Sequence, residues 1–262
     1  MNKIKTIMLK EWAQVFKNRL VLSTLVFMPL LFTAIPLMML YAMRGTGAQE
    51  LTSDMPPQFA SVCPPGLSAG ECFQVYTVNQ FMMLFMMIPL IIPVNIAAYS
   101  IVGEKTTRSL EPLLATPITT VELLIGKNLA AAIPAVLATW LGFLLYVVGA
   151  WIIVQSPRVV VALLEPMWWL AVFVAGPGLA ILSVNFALMV SSRVNEPRVA
   201  EQLSAIVILP LLALFIGQIA GLFILNRQLV MLFVIVLALI DALMVYLAVH
   251  LFQREVILTR WK

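Results

Sequence analysis

The residues able to do chemistry are few and unevenly placed. Six charges fall in one 25-residue stretch, GEKTTRSLEPLLATPITTVELLIGK, from Gly103 to Lys127. One carboxylate, Asp241, stands alone in an apolar run, and the single histidine, His250, follows it. The only two cysteines, Cys63 and Cys72, bound the string CPPGLSAGEC. None of these makes a catalytic constellation. G-x-S-x-G, H-E-x-x-H and the phosphate loop G-x-x-x-x-G-K-[ST] are all missing. IGKN at Ile125–Asn128 has Gly-Lys but lacks the upstream glycine and the following hydroxyl residue. The chain is therefore expected not to be an enzyme and to bind no cofactor of its own. Two cysteines without a nearby histidine make a poor metal site, so no metal is expected.

The elements that must position these residues are set by composition. The chain is 62% hydrophobic and 11% charged, with mean hydropathy +1.03. Soluble domains carry about 25% charged residues. The expected fold class is an all-α polytopic membrane protein, a single transmembrane domain over 1–262. Six transmembrane helices are expected at 20–43, 79–102, 129–154, 167–190, 201–225 and 229–251. Each is long enough to cross roughly 30 Å of hydrocarbon as a helix. Pro29, Pro36, Pro89, Pro93, Pro134, Pro177 and Pro210 fall inside these runs and are expected to kink them. Gly217, Gln218 and Gly221 interrupt the fifth run and leave room for a re-entrant segment.

Thirteen of the sixteen Lys and Arg lie in the N-terminal segment, the 103–128 segment, the fourth-to-fifth connection and the tail. Basic residues favour the cytoplasmic side, so both termini and 103–128 are expected there. The net +4 charge then reflects topology and contact with membrane lipids, not nucleic acid. Trp151, Trp168 and Trp169 are expected at one interface, Trp12 and Trp261 at the other. The first apolar run is too long for a cleaved signal peptide.

Residues 1–19 place Ile4, Met8, Trp12, Val15 and Phe16 at helical spacing, with lysines elsewhere. This is expected to be an amphipathic interfacial helix. The 44–78 stretch reads as an extracytoplasmic loop. A Cys63–Cys72 disulfide is the favoured reading on that side of the membrane, with two free thiols as the alternative.

The opening stretch is too long for a mere connection. Glu104 and Arg108 are spaced i, i+4 on an expected extension of span two. A short helix is expected at about 109–115, ended by Thr116 before Pro117. Thr119 and Glu122 then form a capping box leading into span three. Leu110, Leu113 and Leu114 have helical spacing and need something to pack against.

Intramembrane polar groups are the other candidates. Asp241 near the middle of span six reads either as a functional group facing a bundle interior or as a structural contact. Asn95 and Gln218 are polar candidates for a path through spans two and five. Met83 and Met87 belong to a methionine cluster that fits an adaptable apolar wall, soft-metal handling or simple packing.

The central stretch closely resembles the cytoplasmic segment of ATP-binding-cassette (ABC) transporter type-2 permeases. The matching positions are Glu104, Lys105, Leu110, Glu111, Leu113, Leu114, Thr116, Pro117, Glu122, Gly126 and Lys127. The N-terminus, the six spans and RVAEQLSAIVILPLL extend the likeness across nearly the whole chain. The resemblance implies a permease subunit of an ATP-driven exporter with the type V exporter-like fold, in the plasma (inner) membrane of a prokaryote. A second permease copy, identical or related, and two separate ATPase subunits binding ATP and Mg are implied as partners. The 103–128 segment would carry a coupling helix seated in the ATPase, with Glu104, Arg108, Leu110, Glu111, Leu113, Leu114, Thr116 and Pro117 serving coupling. The short 225–229 connection departs from the longer re-entrant element that family members often have. The rival reading is an ion-coupled secondary transporter or channel that uses Asp241 as a relay.

Overall fold

The computed structural model describes residues 2–17, 19–43, 66–106, 118–154, 156–223 and 225–251. Every regular element among them is helical. In chain order these are α1 (Asn2–Val15), α2 (Arg19–Ala42), α3 (Ala69–Phe85), α4 (Ile88–Thr106), α5 (Thr120–Ile153), α6 (Pro157–Leu163), α7 (Pro166–Leu170), α8 (Gly176–Arg193), α9 (Pro197–Ser204), α10 (Leu209–Ile219) and α11 (Arg227–Leu251). Six stretches are long and apolar enough to cross a membrane: Val21–Ala42, Gly70–Glu104, Thr120–Ile153, Pro157–Arg193, Pro197–Ile219 and Arg227–Leu251. The protein is thus an all-helical, six-span membrane protein.

Span two is the axis of the bundle. In its most apolar window 78% of residues are buried, against 17% in span five and 11% in span six. It packs most closely on span four through small residues. Ala97, Ala98, Ala180 and Ala187 are fully buried, which lets two backbones approach. Serines then bridge the backbones. Ser183 Oγ donates to the Leu90 carbonyl at 2.7 Å and Ser191 Oγ donates to the Ala98 carbonyl at 2.7 Å. The Val102 N–H donates to Ser191 Oγ at 3.1 Å. Span one lies on span three, where glycines leave room. A Cβ at Gly149 would stand 2.6 Å from Leu37 Cδ1.

Proline positions explain where the spans break. Span two divides at Met86 and Met87, so Pro89 falls in the first turn of α4, where no N–H is needed. Phe85, Phe143 and Tyr146 pack around this break with ring centroids 5.6–6.3 Å apart. Span four widens into a π-turn at Ala171–Ala175 just before Pro177. In that register the Val172 carbonyl faces the missing proline N–H, and the Trp140 indole N–H donates to it instead at 3.3 Å. Span five tightens into a 3₁₀ turn at Ala205–Ile208 before Pro210.

Several elements differ from the sequence expectation. The expected 44–78 loop becomes helical from Ala69, because Ser68 and Glu71 form a reciprocal capping box. Ser68 Oγ accepts the Glu71 N–H at 3.3 Å, and the Ser68 N–H donates to Glu71 Oε2 at 2.8 Å. The helix of span three begins at Thr120, capped by Thr119 and Glu122 as expected, and continues without a break through the apolar run expected from 129. Its 34 residues measure about 51 Å at 1.5 Å per residue, so its first turns project beyond the hydrocarbon.

The fifth span runs as one helical stretch to Ile219 and stops there. The Leu222 N–H donates to the Gly217 carbonyl and the Gly221 N–H to the Gln218 carbonyl, each at 3.0 Å. Gly221 has φ +72°. This is a Schellman stop, and the interrupting glycines serve it. Asn226 Oδ1 then accepts the Leu229 N–H at 2.8 Å and starts span six.

Trp168 is buried within the bundle, 2% exposed, its indole N–H donating to Asn79 Oδ1 at 2.9 Å. Trp151 is largely exposed on the bundle surface.

The small-residue seam gives a direct test. Ala187→Leu adds volume to a fully packed contact between spans two and four and should cost about 1–3 kcal/mol. Thermal unfolding of the detergent-purified protein should show a lowered Tm, while Leu212→Ala on the exposed side of span five should change it little.

Candidate functional site

Polar groups converge at the end of the bundle that carries α1. This helix was expected to offer Ile4, Met8, Trp12, Val15 and Phe16 to the interface. Ile7, Glu11 and Val15 form the face buried against the bundle, spaced i, i+4, i+8, while Leu9 and Phe16 are exposed. The helix lies against the first turns of span three. Two contacts fix it there. The Trp12 indole N–H donates to the Ala130 carbonyl at 2.9 Å. Ile7 presses on Gly126, where a Cβ would come within 2.8 Å of its side chain.

A buried acid explains the rotation of α1. Lys127 on span three is 3% exposed, Glu11 on α1 is 4% and Glu104 at the end of span two is 3%. Lys127 Nζ donates to Glu11 Oε1 at 2.8 Å and to Ser100 Oγ at 2.7 Å. It also lies 3.1 Å from Glu104 Oε2. Ser100 Oγ donates to Glu11 Oε2 at 3.0 Å. Lys10 closes the set from the rim, donating to Glu104 Oε1 at 2.6 Å. The cluster balances two ammonium groups against two carboxylates. Farther out, Lys3 pairs with Glu122 at 3.6 Å on the surface, where such pairs contribute little.

The cluster's position gives it meaning. Glu104 lies two residues before the end of α4, and α5 resumes at Thr120. One salt-bridged group therefore joins both stems of the 107–117 segment to each other and to α1. Arg108, Leu110, Glu111, Leu113, Leu114, Thr116 and Pro117 lie outside the described residues. Beside the cluster is a cavity of about 400 Å³, bordered by Glu11, Gln14, Lys17, Tyr99, Ser100 and Glu104. At the residue after Lys127 on span three, the Asn128 amide donates to Asn185 Oδ1 at 3.0 Å and ties in span four.

The other sequence candidates do not join this group as one path. Asn95 borders the same cavity. Met83 and Met87 are buried in the core, and Gln218 is buried near the far end of span five. Asp241 faces span four, where Gly178 leaves room for it: a Cβ there would lie 3.3 Å from Asp241 Oδ2. Asp241 Oδ1 has no hydrogen-bond partner among the described residues. Cys72 is disulfide-bonded, and its expected partner, Cys63, lies outside the described residues. No group of three or more His, Cys, Asp or Glu suited to a metal occurs among the described residues.

Sequence reading missed Glu11, Lys10 and Ser100 and took Lys127 only from a resemblance. The available signal was Glu11 itself, the one acid of the N-terminal segment, sitting between apolar positions at helical spacing.

Six packed spans with a charged base of this kind define a polytopic helical membrane protein. A family model described as ABC-2 family transporter protein matches residues 5–251. The chain belongs to that family and is a permease of an ABC transporter. A search of curated proteins returned no match.

The cluster makes a thermodynamic prediction. Removing one partner strands a buried charge and should cost about 3–5 kcal/mol, so Glu11→Gln or Lys127→Gln should lower stability sharply. The double variant should cost less than the sum of the two, by about 0.5–3 kcal/mol of coupling. Denaturation of the four forms in one detergent measures this, and additive effects would separate the two residues.

Proposed function

We propose that this chain is the membrane-spanning subunit of an ATP-driven exporter. It works as a pair of permease copies with two separate ATPase subunits. The ATPase docks at the end of the bundle that carries α1, the Glu11–Lys127–Glu104 cluster and the 107–117 segment. On the charge bias of the sequence that end is cytoplasmic, in the plasma membrane of a prokaryote. The carrying observation is the buried cluster. It ties the stems of the polar segment to the N-terminal helix, as a part that receives a push must be tied. ATP and Mg belong to the partner, since no phosphate loop occurs in this sequence.

In this reading the short helix at 109–115 seats Leu113 and Leu114 in an apolar cleft of the ATPase. Arg108 and Glu111 orient it. Closure of the ATPase pair on ATP moves the segment, and the charge cluster passes that motion to spans two and three together. A nucleotide state shifts such an equilibrium only by its differential affinity for the two conformations. The second reading, an ion-coupled carrier, draws on Asp241 and its Oδ1 without a hydrogen-bond partner.

Co-purification from the native membrane under mild extraction tests the assembly. Native mass spectrometry should find two permease chains with two ATPase chains. Glu111→Arg and Leu113→Asp should abolish ATP-driven transport and loosen the ATPase while leaving the permease folded. Asp241→Asn should leave transport within about twofold of wild type, a barrier change under about 0.4 kcal/mol. Full transport in the first pair with loss in Asp241→Asn would favour the ion-coupled carrier.

A further inference from the structure

The cavity of about 400 Å³ beside the charge cluster lies between α1, the start of span one and the last turns of span two. Its inner wall is made of buried groups, Glu11, Ser100 and Glu104. These are already engaged. Glu11 accepts from Lys127 and Ser100, and Glu104 holds Lys10 and Lys127. The outer wall differs. Gln14 and Lys17 line it from the end of α1, and Asn95 and Tyr99 from span two. Among the described residues, no side-chain hydrogen bond or ion pair engages any of these four. Asn95, Tyr99 and Gly103 are spaced i, i+4, i+8 and form one stripe of the helix. The stripe stays open although span two is the axis of the bundle: Tyr99 is 56% exposed. Gly103 sets the course of the ring. A Cβ there would stand 3.0 Å from Tyr99 Cε1, so the ring lies back along the helix toward the end that carries Glu104.

Depth and charge identify what fits. Lys17 lies four residues before the apolar stretch of span one, Val21–Ala42, which places it at headgroup level. Val21 and Ile96 also line the cavity and give it an apolar side. Lys17 is the one basic residue that lines it. Both carboxylates of the inner wall are neutralised by other lysines, so Lys17 leaves the cavity with a net positive charge. The Lys17 ammonium, the Tyr99 hydroxyl and the two side-chain amides all carry donors, which suits the oxygens of a phosphate.

We propose that this cavity binds the headgroup of an anionic membrane phospholipid of the phosphatidylglycerol type. Lys17 and Tyr99 donate to the phosphate, and the amides of Asn95 and Gln14 meet the glycerol hydroxyls. The acyl chains leave past Val21 and Ile96 into the bilayer. An ethanolamine head is disfavoured, because its ammonium needs a carboxylate and both are held by lysines. A bound headgroup bridges α1 to span two beside the cluster and so stiffens the base of the bundle. Binding itself does not depend on the ATPase assembly.

Native mass spectrometry of the delipidated full-length chain, titrated with defined lipids, tests this. No ATPase or nucleotide is present, so failure here leaves the proposed assembly untouched. Dioleoyl phosphatidylglycerol should bind more tightly than dioleoyl phosphatidylethanolamine. Lys17→Gln should weaken its binding about fivefold, the worth of one basic contact at the membrane surface. Lys17 is exposed, so this change spares the fold. Lys5→Gln removes another exposed lysine of α1 that does not line the cavity, and should stay within about twofold of wild type because salt screens distant charges. Tyr99→Phe keeps the ring over Gly103 and should weaken binding roughly two- to tenfold, the net worth of one hydrogen bond. Equal binding of the two lipids would overturn the choice of headgroup. Equal losses in Lys5→Gln and Lys17→Gln would replace the site with diffuse charge attraction. Displacement of the lipid by an equal concentration of glycerol 3-phosphate would overturn the lipid and leave a soluble phosphate as the ligand.

Discussion

Lys127 is an ammonium group almost wholly removed from water, and everything at that end of the molecule is arranged around neutralising it. Glu11 and Glu104 lie within 3.1 Å of its Nζ, and Ser100 completes the hydrogen bonding. The three charged residues come from three different elements: the N-terminal helix, span two and span three. None can withdraw without leaving another charge unpaired in a dry site, which is strongly unfavourable. This constraint decides the rotation of α1 about its own axis. It also explains the close approach at Gly126, since α1 must lie near enough for Glu11 to reach the lysine.

The two ends of the bundle are built differently. Near α1 the packing is held by charge, by serine bridges between backbones and by small residues in the seam between spans two and four. Toward the other end the helices are interrupted. Span two breaks at Met86 and Met87, span four passes through a π-turn, and span five closes with a Schellman stop at Gly221. Each interruption follows from a proline or glycine that could not continue a regular helix. The proposed export cycle fits this division: a firm base takes the push, and the interrupted half is free to change shape.

The spans were legible because a run of about 20 apolar residues has few other stable forms. The boundaries were less so, for nameable reasons. The capping box at Thr119 and Glu122 was read correctly, whereas the same spacing at Ser68 and Glu71 was lost within a Pro- and Gly-rich stretch. The glycines of span five looked like a possible re-entrant segment because a Schellman stop and a mid-span interruption use the same residues. The charge cluster was the hardest to see. Glu11 and Lys127 are 116 positions apart, and no local pattern records a pairing across that distance. The helical spacing of α1 pointed to an apolar face, but an acid with a buried partner can occupy such a face, and here it does.

The central claim is that α1 and the base of spans two and three move as one body. Spin labels at Ala13 on α1 and Val121 on span three, both exposed, measure this by pulsed dipolar spectroscopy in the complex with its ATPase. The account predicts one narrow distance distribution that is the same without nucleotide and with ATP trapped. A distance that shifts or broadens on ATP binding would show α1 moving apart from span three and would contradict the claim.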